Sequence, residues 1–346
     1  MSRLLYIAGL RGVVAASPMT LPRCRRSLVC IGIFFVALVF NALPVFGQRL
    51  EYAKSQASAM TYKKNPSDHF GVLAFLNWND PWNHHMYPKS KARKAMDLIK
   101  EAGIGWVRMD FPWPQLQPDP HIEIDFKHHH WLVNQLKQRN LKIVGVLGYS
   151  PDWAGARKTS WRSPPKHMHQ FAEYVEKTVT EFRGQVEHWE IWNEPNSPEY
   201  WLPQDNLHTY AKLLRVSATT IRRANPTAQV VLGGLTRDFV GDLARLYELG
   251  AKNDFDVVNI HPFVDPFDPD AEWNLTGLVD SVKDIMNDIE DTSKPLWITE
   301  LGCPGMPEGI TTSPWFLGEN PDEAHQAAFL TETLGTLVKH GKVDKI

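Results

Sequence analysis

The chain has 346 residues, 43% hydrophobic and 22% charged, which is the ordinary composition of a globular protein with a large core. Its formal net charge is −2, but residues 1–47 hold five arginines and no acidic residue, so removing those five charges leaves about −7 on the rest. A mildly acidic body argues against nucleic acid or an anionic membrane as the main partner.

The first apolar segment is short and follows basic residues. Residues 28–40 come directly after Arg25 and Arg26, a pattern typical of a secretory signal. We therefore predict that residues 1–47 are a signal peptide, that residues 48–68 are a polar linker and that the protein is secreted or periplasmic. A single membrane anchor is the alternative, although the apolar run is shorter than the about 20 residues that a spanning helix needs.

Cysteine is rare. Two of the three cysteines, Cys24 and Cys30, lie in the predicted signal, and only Cys303 belongs to the body. No internal disulfide is therefore expected there, and an exported domain of this size can rely on its core instead.

Over residues 69–346, apolar runs of strand length alternate with amphipathic helices. The runs begin near Phe70, Trp106, Lys142, Val186, Gln229, Val257 and Pro295. Between the third and fourth runs, apolar residues at helical spacing predict a helix with one buried face; they are Phe171, Tyr174, Val175, Val179 and Phe182. Seven strand–helix repeats with nearly continuous apolar strands predict an α/β fold, a (β/α)8 TIM barrel.

Two features bear on this fold. A doubly wound open sheet is the alternative, but it would normally carry a glycine-rich phosphate loop after its first strand, where this chain has the polar and aromatic residues 79–82. After the last predicted helix, residues 341–346 resemble the start of an eighth strand. We therefore expect a barrel truncated before strand 8 and helix 8 are complete, with the edges of strands 1 and 7 open.

Polar residues at the carboxyl ends of the strands are the candidates for a site, because those ends meet at one mouth of a barrel. The fourth strand ends in Asn193 and Glu194, and the seventh ends in Glu300. A lone buried acid is costly, so two at matching strand ends indicate a site. The other strand ends contribute Asn77, Trp78, Arg108, Trp153 and His261.

Paired carboxylates are what cleavage of a glycosidic bond needs. One protonates the leaving oxygen while the other attacks the sugar or activates water, and a separation of about 5–5.5 Å indicates a retaining mechanism. We expect Arg108 to keep the nucleophile ionised and Asn193 to bond the sugar 2-hydroxyl. This chemistry needs no metal or cofactor, and the three consecutive histidines 128–130 would point in different directions on a helix.

The two acidic motifs carry a resemblance to a known group of enzymes. The segment Trp-Asn-Glu-Pro-Asn at 192–196, followed by Thr-Glu-Leu-Gly at 299–302, resembles the retaining glycoside hydrolases of clan A, above all family 39 and then the family 5 cellulases. The resemblance implies that Glu194 is the acid/base and Glu300 the nucleophile. Arg108, His261 and the loop of Trp153 also match positions usual in such enzymes.

The resemblance implies an enzyme that acts on a β-linked oligo- or polysaccharide, and the predicted signal implies that it is exported. Two departures from the family pattern leave an alternative open. Phe263 stands where related enzymes often place a tyrosine whose hydroxyl bonds the nucleophile, and an aromatic platform usual at the end of strand 8 would lie beyond Ile346. The alternative is a non-catalytic carbohydrate-binding protein on a degenerate barrel. Tryptophans at loop positions are candidates for stacking on sugar faces; they are Trp78, Trp82, Trp113, Trp153 and Trp201.

Overall fold

The computed structural model describes residues 66–77, 88–157, 160–305 and 321–346. Its strands are β1 Gly71–Leu73, β2 Trp106–Pro112, β3 Lys142–Gly148, β4 His188–Ile191, β5 Gln229–Leu232, β6 Val258–Ile260 and β7 Leu296–Ile298. Its α-helices are α1 Pro66–His69, α2 Lys89–Glu101, α3 Trp113–Leu116, α4 Lys127–Gln138, α5 Met168–Glu181, α6 His208–Ala224, α7 Phe239–Glu248, α8 Ala271–Asp288 and α9 Glu323–His340. Each predicted strand start lies within two residues of an observed one.

Some sequence predictions fall outside the described ranges. The predicted signal and nearly all of the predicted linker lie in residues 1–65, and Trp78 and Trp82 lie in the gap between 77 and 88. Their assignments stay predictions. Among the described helices, none is both long enough and apolar enough to cross a bilayer.

The strands form a ring of parallel pairs. β1 to β5 make one sheet in chain order, and β6 pairs with β7. Parallel bridges between Val231 and Val257 and between Leu235 and Ile260 connect β5 to β6. Helices alternate with the strands along the chain, which confirms the predicted (β/α)8 barrel.

The last residues of the chain occupy the eighth position of the ring. Ile298 of β7 donates its backbone N–H to the Lys345 carbonyl at 2.9 Å, and Gly71 of β1 donates to the Ile346 carbonyl at 2.7 Å. The same short segment therefore pairs with both neighbouring strands. The prediction that the edges of strands 1 and 7 are open was wrong, because these hydrogen bonds cover both edges.

Strand alternation separates the inside of the barrel from the layer between strands and helices. On β2, Val107, Met109 and Phe111 pack in the large core with the helices, so Trp106 and Arg108 face the barrel interior. A separate buried cluster fills that interior; it consists of Trp106, Val144, Val231, Val257 and Trp297. Because Trp106 comes two residues before Arg108 on the same face, this apolar layer lies beneath Arg108 and supports it.

The helices bury the faces that the sequence predicts. On α5, Phe171, Tyr174, Val175 and Val179 are fully or almost fully buried. Each such side chain contributes about 1.5–3 kcal/mol of hydrophobic stabilisation relative to an exposed one. This outer core fixes the strands, and the strands in turn fix the side chains at the barrel mouth.

Candidate active site

The turn after β4 has an unusual backbone. Trp192 and Glu194 have φ angles of +68° and +43°, in the left-handed region, which costs a non-glycine residue about 1–3 kcal/mol. The fully buried Trp192 holds the turn, because its indole N–H donates to the Tyr200 carbonyl at 2.9 Å. The turn brings the side chains of Asn193 and Glu194 to the barrel mouth, where they meet partners from other strands.

Glu194 contacts a series of hydrogen-bonded side chains. Its Oε1 lies 3.0 Å from Nδ1 of His261, and Nε2 of that buried ring lies 2.9 Å from Oγ1 of Thr299. The Asn259 amide donates to the same Thr299 oxygen at 2.8 Å. Since Thr299 accepts there, its own proton can go to His261 Nε2, which favours a ring proton on Nδ1 facing Glu194.

A glycine makes room for His261. A Cβ atom on Gly234 would lie 1.9 Å from Nε2 of His261, far closer than van der Waals contact allows. The φ angle of Gly234 is outside the left-handed region, so the requirement for glycine here is one of space and not of backbone conformation. The backbone N–H of Gly234 also donates to Oε1 of Glu190 at 3.1 Å, which ties the histidine side of the site to the barrel interior.

Arg108 connects three acidic and amide side chains. It binds Glu190 in a bidentate manner, with Nε–Oε2 and Nη2–Oε1 distances of 2.8 Å each. Its Nη1 donates to Glu300 Oε1 at 2.6 Å, and its Nη2 donates to Asn193 Oδ1 at 2.7 Å. Burial alone would lower the pKa of the Arg108 guanidinium. The charges of Glu190 and Glu300 outweigh this effect and raise that pKa well above its usual value. The arginine is therefore a permanent cation.

The two predicted glutamates face each other. One carboxyl oxygen of Glu194, one of Glu300 and one ring nitrogen of His261 all lie within 4.8 Å of one another. Glu300 is bound to a cation, while the described contact of the Glu194 side chain is to an imidazole. The two carboxyl groups therefore have different partners, a permanent cation for Glu300 and an imidazole ring for Glu194.

The same three side chains form a group that could hold a metal ion. However, both ring nitrogens of His261 already make hydrogen bonds, and Glu300 is paired with Arg108. A guanidinium bound to Glu300 repels a second cation. The donor set is therefore better suited to proton transfer than to metal binding.

An aromatic cluster that the sequence analysis did not predict lies beside the glutamates. The ring of Trp161 is 5.0 Å from that of Tyr149 and 6.0 Å from that of Tyr200. Burial, and then the negative charges of Glu300 and Glu194, raise the pKa of Tyr200, and burial raises the pKa of Tyr149. Both phenols therefore stay protonated and can donate hydrogen bonds near the carboxylates.

Of the other predicted site residues, two have described positions. Asn77 is buried, and neither its amide nitrogen nor its amide oxygen has a hydrogen-bond partner among the described residues. Trp153 is half-buried, and its indole donates to the Gln117 carbonyl at 3.0 Å, while its ring packs edge-on against Trp113. These contacts tie Trp153 to the loop after β2. Trp78 lies outside the described residues, so its role stays a prediction.

Two of the tryptophans expected to stack on sugars are core residues. Trp113 and Trp201 are each 1% exposed, so neither can present a ring face to a ligand, and this prediction was wrong for both.

Phe263 is 51% exposed, and its ring lies edge-on, 6.4 Å from that of His261. The described contact that holds Glu300 comes from Arg108.

Three further residues of the site were not predicted from the sequence: Glu190, Gly234 and Thr299. Glu190 is completely buried and binds Arg108 through both carboxylate oxygens. A signal for it existed: an acid in the middle of an apolar strand, on the same face as the interior positions of β4. Gly234 and Thr299 carry no comparable signal, because their importance arises only from contacts with His261.

Solved structures of similar fold include glycoside hydrolases. A family 39 β-xylosidase from Caulobacter crescentus has a TM-score of 0.60 and 19% identity, with 82% of this chain and 62% of that chain covered. A family 39 glycoside hydrolase from Bacteroides cellulosilyticus has a TM-score of 0.57 and 20% identity, with 81% and 55% covered. A xylanase from Paenibacillus barcinonensis has a TM-score of 0.56 and 11% identity, with 81% and 82% covered.

At these identities the structural likeness shows the fold. The chain also spans less than two thirds of the length of the two family 39 structures. The family model described as cellulase (glycosyl hydrolase family 5) matches residues 67–315, which include the turn of Glu194, the strand end of Glu300 and the whole network around Arg108. The predicted resemblance to clan A is confirmed, and the chain belongs to the cellulase family, glycosyl hydrolase family 5.

Proposed function

We propose that this chain is a retaining glycosidase that cleaves the O-glycosidic bonds of a β-linked oligo- or polysaccharide. The observation that carries the proposal is that carboxyl oxygens of Glu194 and Glu300 lie within 4.8 Å of one another. Retaining enzymes hold their two carboxyl groups about 5–5.5 Å apart, whereas inverting enzymes need about 6.5–9.5 Å to admit a water molecule.

In the first step, an oxygen of Glu300 attacks the anomeric carbon. The bond from that carbon to the leaving oxygen breaks, and the leaving oxygen takes the proton of Glu194. In the second step, water attacks the same carbon and gives a proton to Glu194, while the bond to Glu300 breaks and restores its carboxylate. Each attack inverts the carbon once, so the product keeps the β configuration.

The neighbours of the two glutamates support these roles. Arg108 binds Glu300 at 2.6 Å and places a positive charge beside the nucleophilic carboxylate. Because Asn193 uses its oxygen to accept from Arg108, its amide nitrogen is left to donate to the sugar 2-hydroxyl, a bond that strengthens in the transition state. His261 orients the carboxyl of Glu194 through the contact at 3.0 Å.

The test is a panel of 2,4-dinitrophenyl and 4-nitrophenyl β-glycosides of xylose, glucose, mannose and galactose, together with xylan, glucan and mannan. We expect turnover of at least one aryl glycoside, with the β anomer as first product by proton NMR. Glu300→Ala should abolish turnover. Glu194→Ala should slow the nitrophenyl substrate far more than the dinitrophenyl one, because the better leaving group needs no acid.

An α anomer as first product, or normal rates for Glu300→Ala, would contradict the proposal. Binding of these glycans in calorimetry without any product would favour the non-catalytic alternative. The β-xylosides are the first probes to use, because similar solved structures include β-xylosidases.

We also propose that the protein is exported. The basic residues before the apolar segment 28–40 support this, while the segment itself lies outside the described residues. Cell fractionation with amino-terminal sequencing of the mature protein tests it. A periplasmic or secreted product that begins near residue 48 is expected, whereas a membrane fraction that retains residues 1–47 would indicate the anchor.

A further inference from the structure

The completely buried Glu190 has no place in the two-step scheme, although it binds Arg108 through both of its carboxylate oxygens. Both of its carboxylate oxygens bind Arg108 at 2.8 Å, and the Gly234 N–H supports one of them at 3.1 Å. Glu190 is 0% exposed, and Arg108 is 5% exposed. A buried carboxylate is retained only with full compensation, so this pair is either purely structural or serves the reaction.

Arg108 has two carboxylate partners with different exposure. Glu300 has 19% of its side chain exposed and lies on the cleft side, whereas Glu190 lies inside the barrel. With both glutamates ionised, the cation and its two anions carry a net charge of −1. A single anion would suffice to balance the guanidinium.

The charge balance changes during the reaction that we propose above, on which this inference rests. When Glu300 attacks the anomeric carbon, its negative charge is consumed in an ester bond and the electron pair of the broken glycosidic bond leaves with the departing oxygen. Arg108 then loses one anion while remaining buried and charged. Without a second anion it would be an uncompensated buried cation, which is strongly unfavourable.

We propose that Glu190 is the permanent counter-ion of Arg108, which keeps that guanidinium neutralised and in position while Glu300 is glycosylated. Glu190 is thus a positioning residue that acts through Arg108. It never contacts the sugar, but it lowers the free energy of the glycosyl-enzyme relative to the free enzyme. Glu190 also weakens the attraction between Arg108 and Glu300, because the cation is shared between two anions.

The proposal makes the two half-reactions respond in opposite directions. In Glu190→Gln, Arg108 would bind Glu300 alone and more tightly, so attack by Glu300 should be slower. Breakdown of the glycosyl-enzyme returns the charge to Glu300, and an uncompensated Arg108 would favour that step. A merely structural role would slow both half-reactions alike.

The first experiment needs no substrate, because Glu300→Gln removes the same charge as glycosylation does. Melting temperatures are compared for Glu190→Gln, Glu300→Gln and the double variant. We expect the double variant to lose clearly more than the sum of the two single losses, up to failure to fold, since Arg108 then has neither anion. Glu187→Gln, at a partly exposed carboxylate just before β4, is the matched control and should combine additively with Glu300→Gln. Additive losses for the Glu190 pair would overturn the proposal.

The second experiment uses the aryl β-glycosides of the panel that the wild type cleaves. For Glu190→Gln we expect kcat/KM on the 4-nitrophenyl glycoside, which reports formation of the glycosyl-enzyme, to fall at least tenfold. The kcat on the 2,4-dinitrophenyl glycoside, which reports its breakdown, should stay level or rise. Glu190→Asp, which keeps the charge, should recover part of the loss and serves as the working variant if the glutamine variant does not fold. Equal losses in both parameters, or no recovery by aspartate, would overturn the proposal. If the wild type cleaves no glycoside, the proposed function fails, while the melting-temperature cycle still tests the counter-ion.

Discussion

Gly234→Ala adds a single methyl group at the contact between β5 and the histidine that touches Glu194. The new Cβ would lie 1.9 Å from Nε2 and 2.4 Å from two ring carbons of His261. The backbone at this position suits alanine, because its φ angle is not in the left-handed region. The substitution therefore changes the space available to His261 and leaves the backbone preference almost untouched.

The magnitude follows from these distances. Real Cβ contacts hardly ever fall below 3.0 Å, so the ring or the strand must move by at least 1.1 Å to clear the methyl group. His261 cannot make that move and keep its contacts of 3.0 Å to Glu194 and 2.9 Å to Thr299. Overpacking of a well-packed interior costs about 1–3 kcal/mol, and a misplacement of about 1 Å at a catalytic group can cost about 100-fold in rate.

We therefore expect Gly234→Ala to lose about 3 kcal/mol in the free energy of unfolding, measured by urea denaturation with tryptophan fluorescence. We also expect about a 100-fold lower kcat on the best aryl β-glycoside. Gly277→Ala is the matched control. It lies within α8, and a Cβ added there would meet no described atom within 4 Å, so the same substitution should stabilise by about 0.5–1 kcal/mol and leave kcat unchanged. Wild-type stability and rate in Gly234→Ala would refute the account of the histidine site.

Three further expectations concern charge and burial. Burial lowers the pKa of His129 and of His188 to about 4. Between pH 6.5 and 4 the unfolded chain therefore binds more protons than the folded chain. The free energy of unfolding decreases as the pH is lowered through this range, by up to about 3 kcal/mol for each histidine. His188→Gln should therefore flatten the decline of the melting temperature from pH 7 to pH 4.5, and an unchanged slope would contradict this. Lys345→Met should lower the free energy of unfolding, measured in urea, by about 1–2 kcal/mol, because the Lys345 ammonium lies 4.3 Å from the centre of the Trp106 ring. Lys342→Met, at an exposed lysine, should change that free energy little. Burial raises the pKa of the Cys303 thiol to about 12, so iodoacetamide at pH 8 should modify this residue only after unfolding.

The sequence was sufficient for the barrel because each strand and helix leaves a local pattern. Apolar runs located all seven described strands, and the spacing of Phe171, Tyr174 and Val175 located the buried face of α5. The paired glutamates Glu194 and Glu300 could also be predicted from the sequence, since both stand at the ends of apolar runs. Patterns of this kind depend on neighbours a few residues away, which the sequence shows directly.

The contacts between the side chains of the site could not be predicted, because local patterns do not report which distant residues meet. Arg108 meets Glu190 and Glu300 across separations of 82 and 192 residues, and no local spacing reports such a distance. The prediction that loop tryptophans stack on sugars failed for another reason, because a loop position does not determine the direction in which a ring points. Trp113 and Trp201 turned inward and fill the core, while Trp161 and its tyrosine neighbours line the side of the site.

Two glutamates of identical chemistry can perform different tasks here because the fold gives them opposite partners. Glu300 shares the buried cation Arg108 with Glu190, so that cation keeps one anionic partner when Glu300 gives up its charge. Glu194 faces His261, whose ring is fixed by Thr299 on one side and by the absence of a side chain at Gly234 on the other. Since the backbone N–H of Gly234 also binds Glu190, the arginine side and the histidine side of the site meet at one residue that has room for no side chain.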